Sequence, residues 1–149
     1  MNLKAIVTAI GISLASLSMA HAQTRDLTPP DLSSLPPAVQ TEINNAVAIC
    51  VASPVLCRNA WLAAYDVFKE NGLVGRTDAM DRVLGLFAAA LVVAAIDLPQ
   101  GTRVAIANVV RSISNRSFAD ANFDAIRNLA DALTTGTARV IVAQIASPN

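Results

Sequence analysis

The stretch from Val83 to Ile96, VLGLFAAALVVAAI, holds fourteen consecutive residues without a polar side chain. A helix that is apolar on every face must be surrounded by other helices or by lipid. Fourteen residues are too few to span a bilayer, which takes ~20, and Asp81 and Asp97 bracket the stretch closely. The stretch therefore predicts a buried central helix that begins at Thr77 or Asp78, with membrane insertion as the alternative.

Helix signals lie on both sides of this central stretch. Before it, Ser53 and Pro54 form a strong helix start, and Gly72 suits the left-handed position that ends many helices. After it, Ser117 and Asp120 form a weaker S-x-x-D start. Apolar residues recur at helical spacing between these signals. Four further helices are predicted, from Pro36 to about Ala52, from Pro54 to about Asn71, from Thr102 to about Ser114 and from the Ser117 start to about Thr134.

The tail from Thr137 to Ala146 is ambiguous between strand and helix. Its β-branched run of Val140, Ile141 and Val142 favours a strand. No other segment alternates convincingly, so a lone strand would have no partner, and a short sixth helix is predicted instead. The predicted fold class is therefore all-α: a small bundle of five or six helices over residues 36–149 that follows an N-terminal signal peptide.

Residues 1–22 have the three parts of a cleavable signal peptide. Lys4 supplies the positive start, and an apolar run follows it. The motif Ala20-His21-Ala22 fits the small-x-small pattern that a signal peptidase reads, which places the cut before Gln23. The alternative is an uncleaved anchor helix, for which the apolar run is short. Residues 23–35, with Pro29 and Pro30, predict an extended proline-rich leader, and export predicts a periplasmic or extracellular location.

The two cysteines, Cys50 and Cys57, would enter an oxidising compartment after export. They fall at the end of the first predicted helix and at the start of the second. A bond between them would therefore fix the angle of a helical corner. Two buried free thiols are the alternative, and a transient redox pair is disfavoured because the spacing is not C-x-x-C. The sequence predicts a disulfide.

Removal of residues 1–22 limits the chemistry available to the chain. It takes away His21, the only histidine, so the remaining chain can form neither a Ser-His-Asp triad nor a histidine metal site. It also takes away Lys4, which leaves ten basic against eleven acidic residues and a net charge of −1. A nearly neutral chain lacks the excess of basic residues that is typical of nucleic-acid-binding proteins. No metal, cofactor or catalytic residue is predicted, and the protein is expected not to be an enzyme.

Two sets of side chains are candidates for a site. An aromatic stripe on the second predicted helix indicates either plain core or the wall of an apolar ligand site: Trp61, Tyr65 and Phe68. An acidic face on the fifth predicted helix is interpreted as solvated rather than as a cation or acid–base site: Asp120, Asp124 and Asp131.

The lack of catalytic motifs favours a binding role over a chemical one. The main prediction is an exported protein-interaction or assembly module, whose partner is an unknown protein or a second copy of the chain. A carrier of an apolar small molecule is one alternative, motivated by the central helix and the aromatic stripe. A membrane-active protein, in which the third and fourth helices insert as a hairpin, is another. An enzyme that uses paired carboxylates or Lys69 ranks last.

Overall fold

The computed structural model describes residues 29–137, and this range contains five α-helices. They are α1 (Pro37–Ala52), α2 (Cys57–Phe68), α3 (Thr77–Ala95), α4 (Gln100–Ser114) and α5 (Asp120–Thr135). No strand occurs among these residues, and the all-α prediction is confirmed. The predicted signal peptide, residues 23–28 of the predicted leader and the predicted tail helix beyond residue 137 lie outside the described residues.

The second predicted helix is divided into three parts. A 3-10 turn, Pro54–Leu56, precedes α2, and a π-helical turn, Lys69–Leu73, follows it. Within the π turn Gly72 has φ 80° and ψ 17°, the left-handed conformation predicted for it. Glycine reaches this conformation without the steric cost of a Cβ, so the chain can leave the helix there. The remaining predicted helix ends agree with the structure to within two residues, apart from the start of the last helix, which begins at Asp120 rather than at the predicted Ser117 start.

Successive helices run in alternating directions. Arg82 Nη2, near the start of α3, donates a hydrogen bond of 3.0 Å to Ser34 Oγ, just before α1. The start of α3 also lies beside the start of α5, because the backbone N–H of Phe118 donates to Asp81. Helices α1, α3 and α5 therefore run in one direction, and α2 and α4 return. The corner between α1 and α2 lies beside α4, at the end of the bundle where α3 finishes.

Helix α3 forms the centre of the bundle and contacts α1, α4 and α5. Most of the large side chains in its apolar stretch are buried: Val83, Leu84, Phe87, Leu91 and Val92 are each at most 1% exposed, whereas Leu86 and Val93 are half-buried. Full burial of such a side chain stabilises the fold by ~1.5–3 kcal/mol. The prediction of a buried central helix is confirmed. No helix within residues 29–137 combines the length and apolarity needed to cross a membrane.

The start of α5 differs from the prediction. Ser117 does not cap this helix; its N-cap residue is Ala119, which supplies no side-chain hydrogen bond. Asp81 of α3 takes over this role from across the bundle, because its carboxylate accepts the backbone N–H groups of Phe118 at 2.8 Å and Ala119 at 2.9 Å. Asn122 Nδ2 adds a hydrogen bond of 3.2 Å to the Asp81 carbonyl oxygen. A side chain of the central helix thus fixes where α5 begins.

Candidate functional site

The corner between α1 and α2 is closed by a disulfide between Cys50 and Cys57, and the predicted bond is confirmed. The two Cα atoms are 4.2 Å apart, and both side chains are fully buried. The backbone N–H of Ser53 donates to the Ile49 carbonyl at 2.8 Å, and that of Leu56 donates to the Ser53 carbonyl at 2.9 Å. Closing so short a loop restricts the unfolded chain and stabilises the fold by ~2 kcal/mol. The corner is therefore held both covalently and by hydrogen bonds.

Three large apolar side chains lie exposed at this fixed corner. Val55 is 88% exposed, Leu56 51% and Ile49 41%. Val55 and Leu56 belong to the 3-10 turn, and Ile49 lies in the last turn of α1. We call these three residues the corner face. The disulfide holds the backbone of the turn that carries Val55 and Leu56, and the apolar surface of all three side chains is presented to solvent.

The chain segment that forms the corner face carries no charge. Between Glu42 and Arg58 the chain has no acidic or basic residue, and the polar side chains there are Asn44, Asn45 and Ser53. Surface segments of soluble proteins usually carry charges among their apolar residues, which limits the size of apolar patches. An exposed apolar patch of this kind is typical of a contact surface for another molecule.

The aromatic stripe packs into the core rather than onto the surface. Trp61 and Phe68 are fully buried, and their ring centroids lie 5.6 Å and 6.1 Å from that of Phe87 on α3. Tyr65 is half-buried, and its ring centroid lies 5.3 Å from that of Trp61. These distances are typical of interacting aromatic pairs. The stripe joins α2 to α3, and its role as a ligand wall stays a prediction.

Tyr65 also links three parts of the chain through cation–π contacts. Lys69 Nζ lies 5.1 Å from its ring centroid, and Arg116 Cζ, after the end of α4, lies 5.2 Å from it. Such contacts contribute ~0.5–1 kcal/mol at exposed sites. Lys69 additionally forms a salt bridge of 2.6 Å with Asp66, so this lysine is exposed and paired rather than desolvated.

The three aspartates of the acidic face on α5 are exposed, which agrees with the interpretation that this face is solvated. Asp131 forms a salt bridge of 2.7 Å with Arg111 of α4, whereas Asp120 and Asp124 stay on the surface. Within residues 29–137 no three histidine, cysteine or acidic side chains lie close enough together to hold a metal ion.

The sequence did not predict the role of Asp81, whose carboxylate binds the backbone at the start of α5. It is 8% exposed, and its carboxylate is one of few charged groups in the described part of the chain to reach that degree of burial. A signal was available, because Asp81 precedes Leu84 and Ala88 at helical spacing and so lies on the apolar face of α3. A charge on such a face needs a partner.

Comparisons with known proteins provide no functional assignment. No protein-family model matches the chain, and no curated protein or solved structure is significantly similar to it. Functional inference for this chain therefore rests on its own geometry. The corner face is the feature that best indicates a contact surface, because its three large apolar side chains are exposed.

Proposed function

We propose that the chain is an exported, non-catalytic interaction module that associates with a second copy of itself through the corner face. The observation that carries this proposal is the 88% exposure of Val55 at a covalently closed turn. Exposed apolar surface costs free energy in water, and burial against a partner recovers it. The rigid turn lowers the ordering cost of binding, because its side chains are already positioned.

A second copy fits this surface because the segment that forms it carries no charge. In a two-fold symmetric dimer the same patch meets itself, so any charge in it would face a like charge. Residues 43–57 contain none. After removal of residues 1–22 the chain has ten basic and eleven acidic residues and a formal net charge of −1, so long-range repulsion does little to keep two copies apart. These two features favour self-association over contact with a strongly charged partner.

Export is supported by the signal-peptide pattern of residues 1–22 together with the disulfide. Disulfides persist in oxidising compartments and are rare in the reducing cytosol. We expect the protein recovered from outside the cytoplasm to begin at Gln23 and to gain the mass of two hydrogen atoms on reduction. Intact-mass spectrometry before and after reduction measures both. A chain that still begins at Met1, or that gains no mass on reduction, would contradict the export proposal.

Self-association predicts a specific effect of a charge at the corner. We expect Val55→Asp to weaken the dimer by about tenfold or more, because a carboxylate would be buried opposite its own copy. Light scattering coupled to size-exclusion chromatography, run over a concentration series, measures the mass of the oxidised protein. Val74→Asp is the matched control, because Val74 is also 67% exposed but lies in the loop before α3. The control variant should dimerise like the unsubstituted protein.

Two results would contradict the self-association proposal. An unsubstituted protein that keeps the mass of one chain at every concentration would show that the corner face does not bind a second copy. A dimer that Val55→Asp and Val74→Asp weaken equally would show that the contact lies elsewhere.

A further inference from the structure

A groove of about 420 Å³ lies at the end of the bundle opposite the corner face. It runs between the segment before α1, the π turn after α2 and the first turns of α3. Its apolar lining includes Leu35, Leu73 and Val83, which are 8%, 8% and 1% exposed. We call it the basic groove, because two arginines also line it. Small-molecule sites are typically concave, apolar and ~300–1,000 Å³ in volume, with a few polar groups that orient the ligand.

The charges of the basic groove come from α3 and the residue before it. Arg76 and Arg82 line the groove together with Asp78, which leaves a net charge of +1. None of the three takes part in a salt bridge within residues 29–137. Arg82 Nη2 donates a hydrogen bond of 3.0 Å to Ser34 Oγ, which positions its guanidinium across the groove from α3 to the segment before α1. Most of the donors on both guanidinium groups therefore remain available to an incoming acceptor.

We propose that the basic groove binds a small molecule that carries one carboxylate on an apolar body. Guanidinium groups bind carboxylates through paired, charge-assisted hydrogen bonds. The apolar surface for the rest of the ligand comes mainly from Pro36 and Ala79, the apolar lining residues that keep solvent exposure. A carboxylate complements the net positive charge of the groove, because the two arginines outweigh Asp78. This site is separate from the corner face, so it goes beyond the proposed self-association.

The test uses hexanoate as the probe and the full chain as the protein. Backbone amide chemical shifts are followed by NMR during a titration with hexanoate. Hexanol, with the same carbon chain but no charge, and hexylamine, with the opposite charge, are titrated in parallel. We expect saturable shifts from residues 71–83 with hexanoate, and no saturable shifts with the other two probes.

The variants separate charge recognition from loss of the fold. The double substitution Arg76→Gln and Arg82→Gln should weaken hexanoate binding by about tenfold or more, because both charge-assisted contacts are lost. Arg76→Gln alone should weaken it less. Both arginines are exposed, and unchanged fluorescence of the buried Trp61 checks that the variants are folded. Arg58→Gln, at an exposed arginine of α2 near the corner, is the matched control and should bind hexanoate normally.

Three outcomes would overturn the proposal. Hexanoate that produces no saturable shift would show that the groove does not bind this ligand class. Hexanol that shifts the same residues equally would show an apolar groove without carboxylate recognition. Binding that survives the double substitution would place the carboxylate elsewhere. None of these outcomes depends on dimerisation through Val55, so the two proposals succeed or fail separately.

Discussion

Phe87→Ala is expected to lower the free energy of unfolding by ~3–5 kcal/mol, the cost typical of removing a large buried aromatic side chain. Phe87 is fully buried on α3, and its ring contacts those of Trp61 and Phe68 on α2. Truncation would leave a cavity where the two helices meet and would remove both aromatic pairs. Because small domains are stable by only ~5–15 kcal/mol, this loss would take a large part of the total.

Urea unfolding followed by circular dichroism measures this effect of Phe87→Ala. A helical signal is preferable to fluorescence here, because Phe87 lies against Trp61, the only tryptophan, and its removal would change the emission of the folded state. Phe118→Ala is the matched control, since Phe118 is 58% exposed, and we expect a change within ~0.5 kcal/mol. A loss below ~1 kcal/mol for Phe87→Ala would contradict the central position of α3, because full burial predicts several times more.

Asp81→Ala is expected to lower the free energy of unfolding by ~2–4 kcal/mol. The substitution removes both carboxylate oxygens that accept the backbone N–H groups of Phe118 and Ala119. Those two N–H groups precede α5, whose own N-cap residue offers no side-chain acceptor. The loss therefore consists of two charge-assisted hydrogen bonds that fix the backbone just before α5.

Urea unfolding followed by Trp61 fluorescence suits this second prediction, because the ring of Trp61 contacts those of Tyr65 and Phe87, whereas the Asp81 carboxylate bonds to the backbone before α5. Asp81→Asn should have an intermediate effect, because the amide retains one oxygen acceptor and turns its NH2 group toward a backbone donor. Asp78→Ala is the control: Asp78 is exposed on the first turn of the same helix, so the loss should be small. Equal losses for Asp81→Ala and Asp78→Ala would show that the contacts to the start of α5 contribute nothing.

The helices themselves were largely predictable from the sequence. The fourteen apolar residues from Val83 to Ile96 predicted a buried centre, because a helix without a polar face has to be covered. Ser53-Pro54 and Gly72 marked a helix start and a helix end, and the structure has both. These signals are local, since they depend on backbone conformation and on helical spacing within a few residues.

The candidate sites were less predictable, because each combines residues from distant parts of the chain. The disulfide was predicted from two cysteines separated by a short corner, but the exposure of Val55 depends on how that corner meets α4. The basic groove brings Leu35 and Ser34 to Arg76 and Arg82, which lie 41 to 48 positions later in the chain. No periodic pattern relates residues at such separations.

The sequence by itself determined the all-α class, the approximate helix ends and the corner at which Cys50 and Cys57 meet. Only the tertiary structure decided which exposed surfaces remain and how the start of α5 is capped. Ser117 offered the local signal for that cap, yet Asp81 of α3 supplies the hydrogen bonds. The reason is physical: a carboxylate on the buried face of the central helix needs donors, and only helix packing determines which backbone groups reach it.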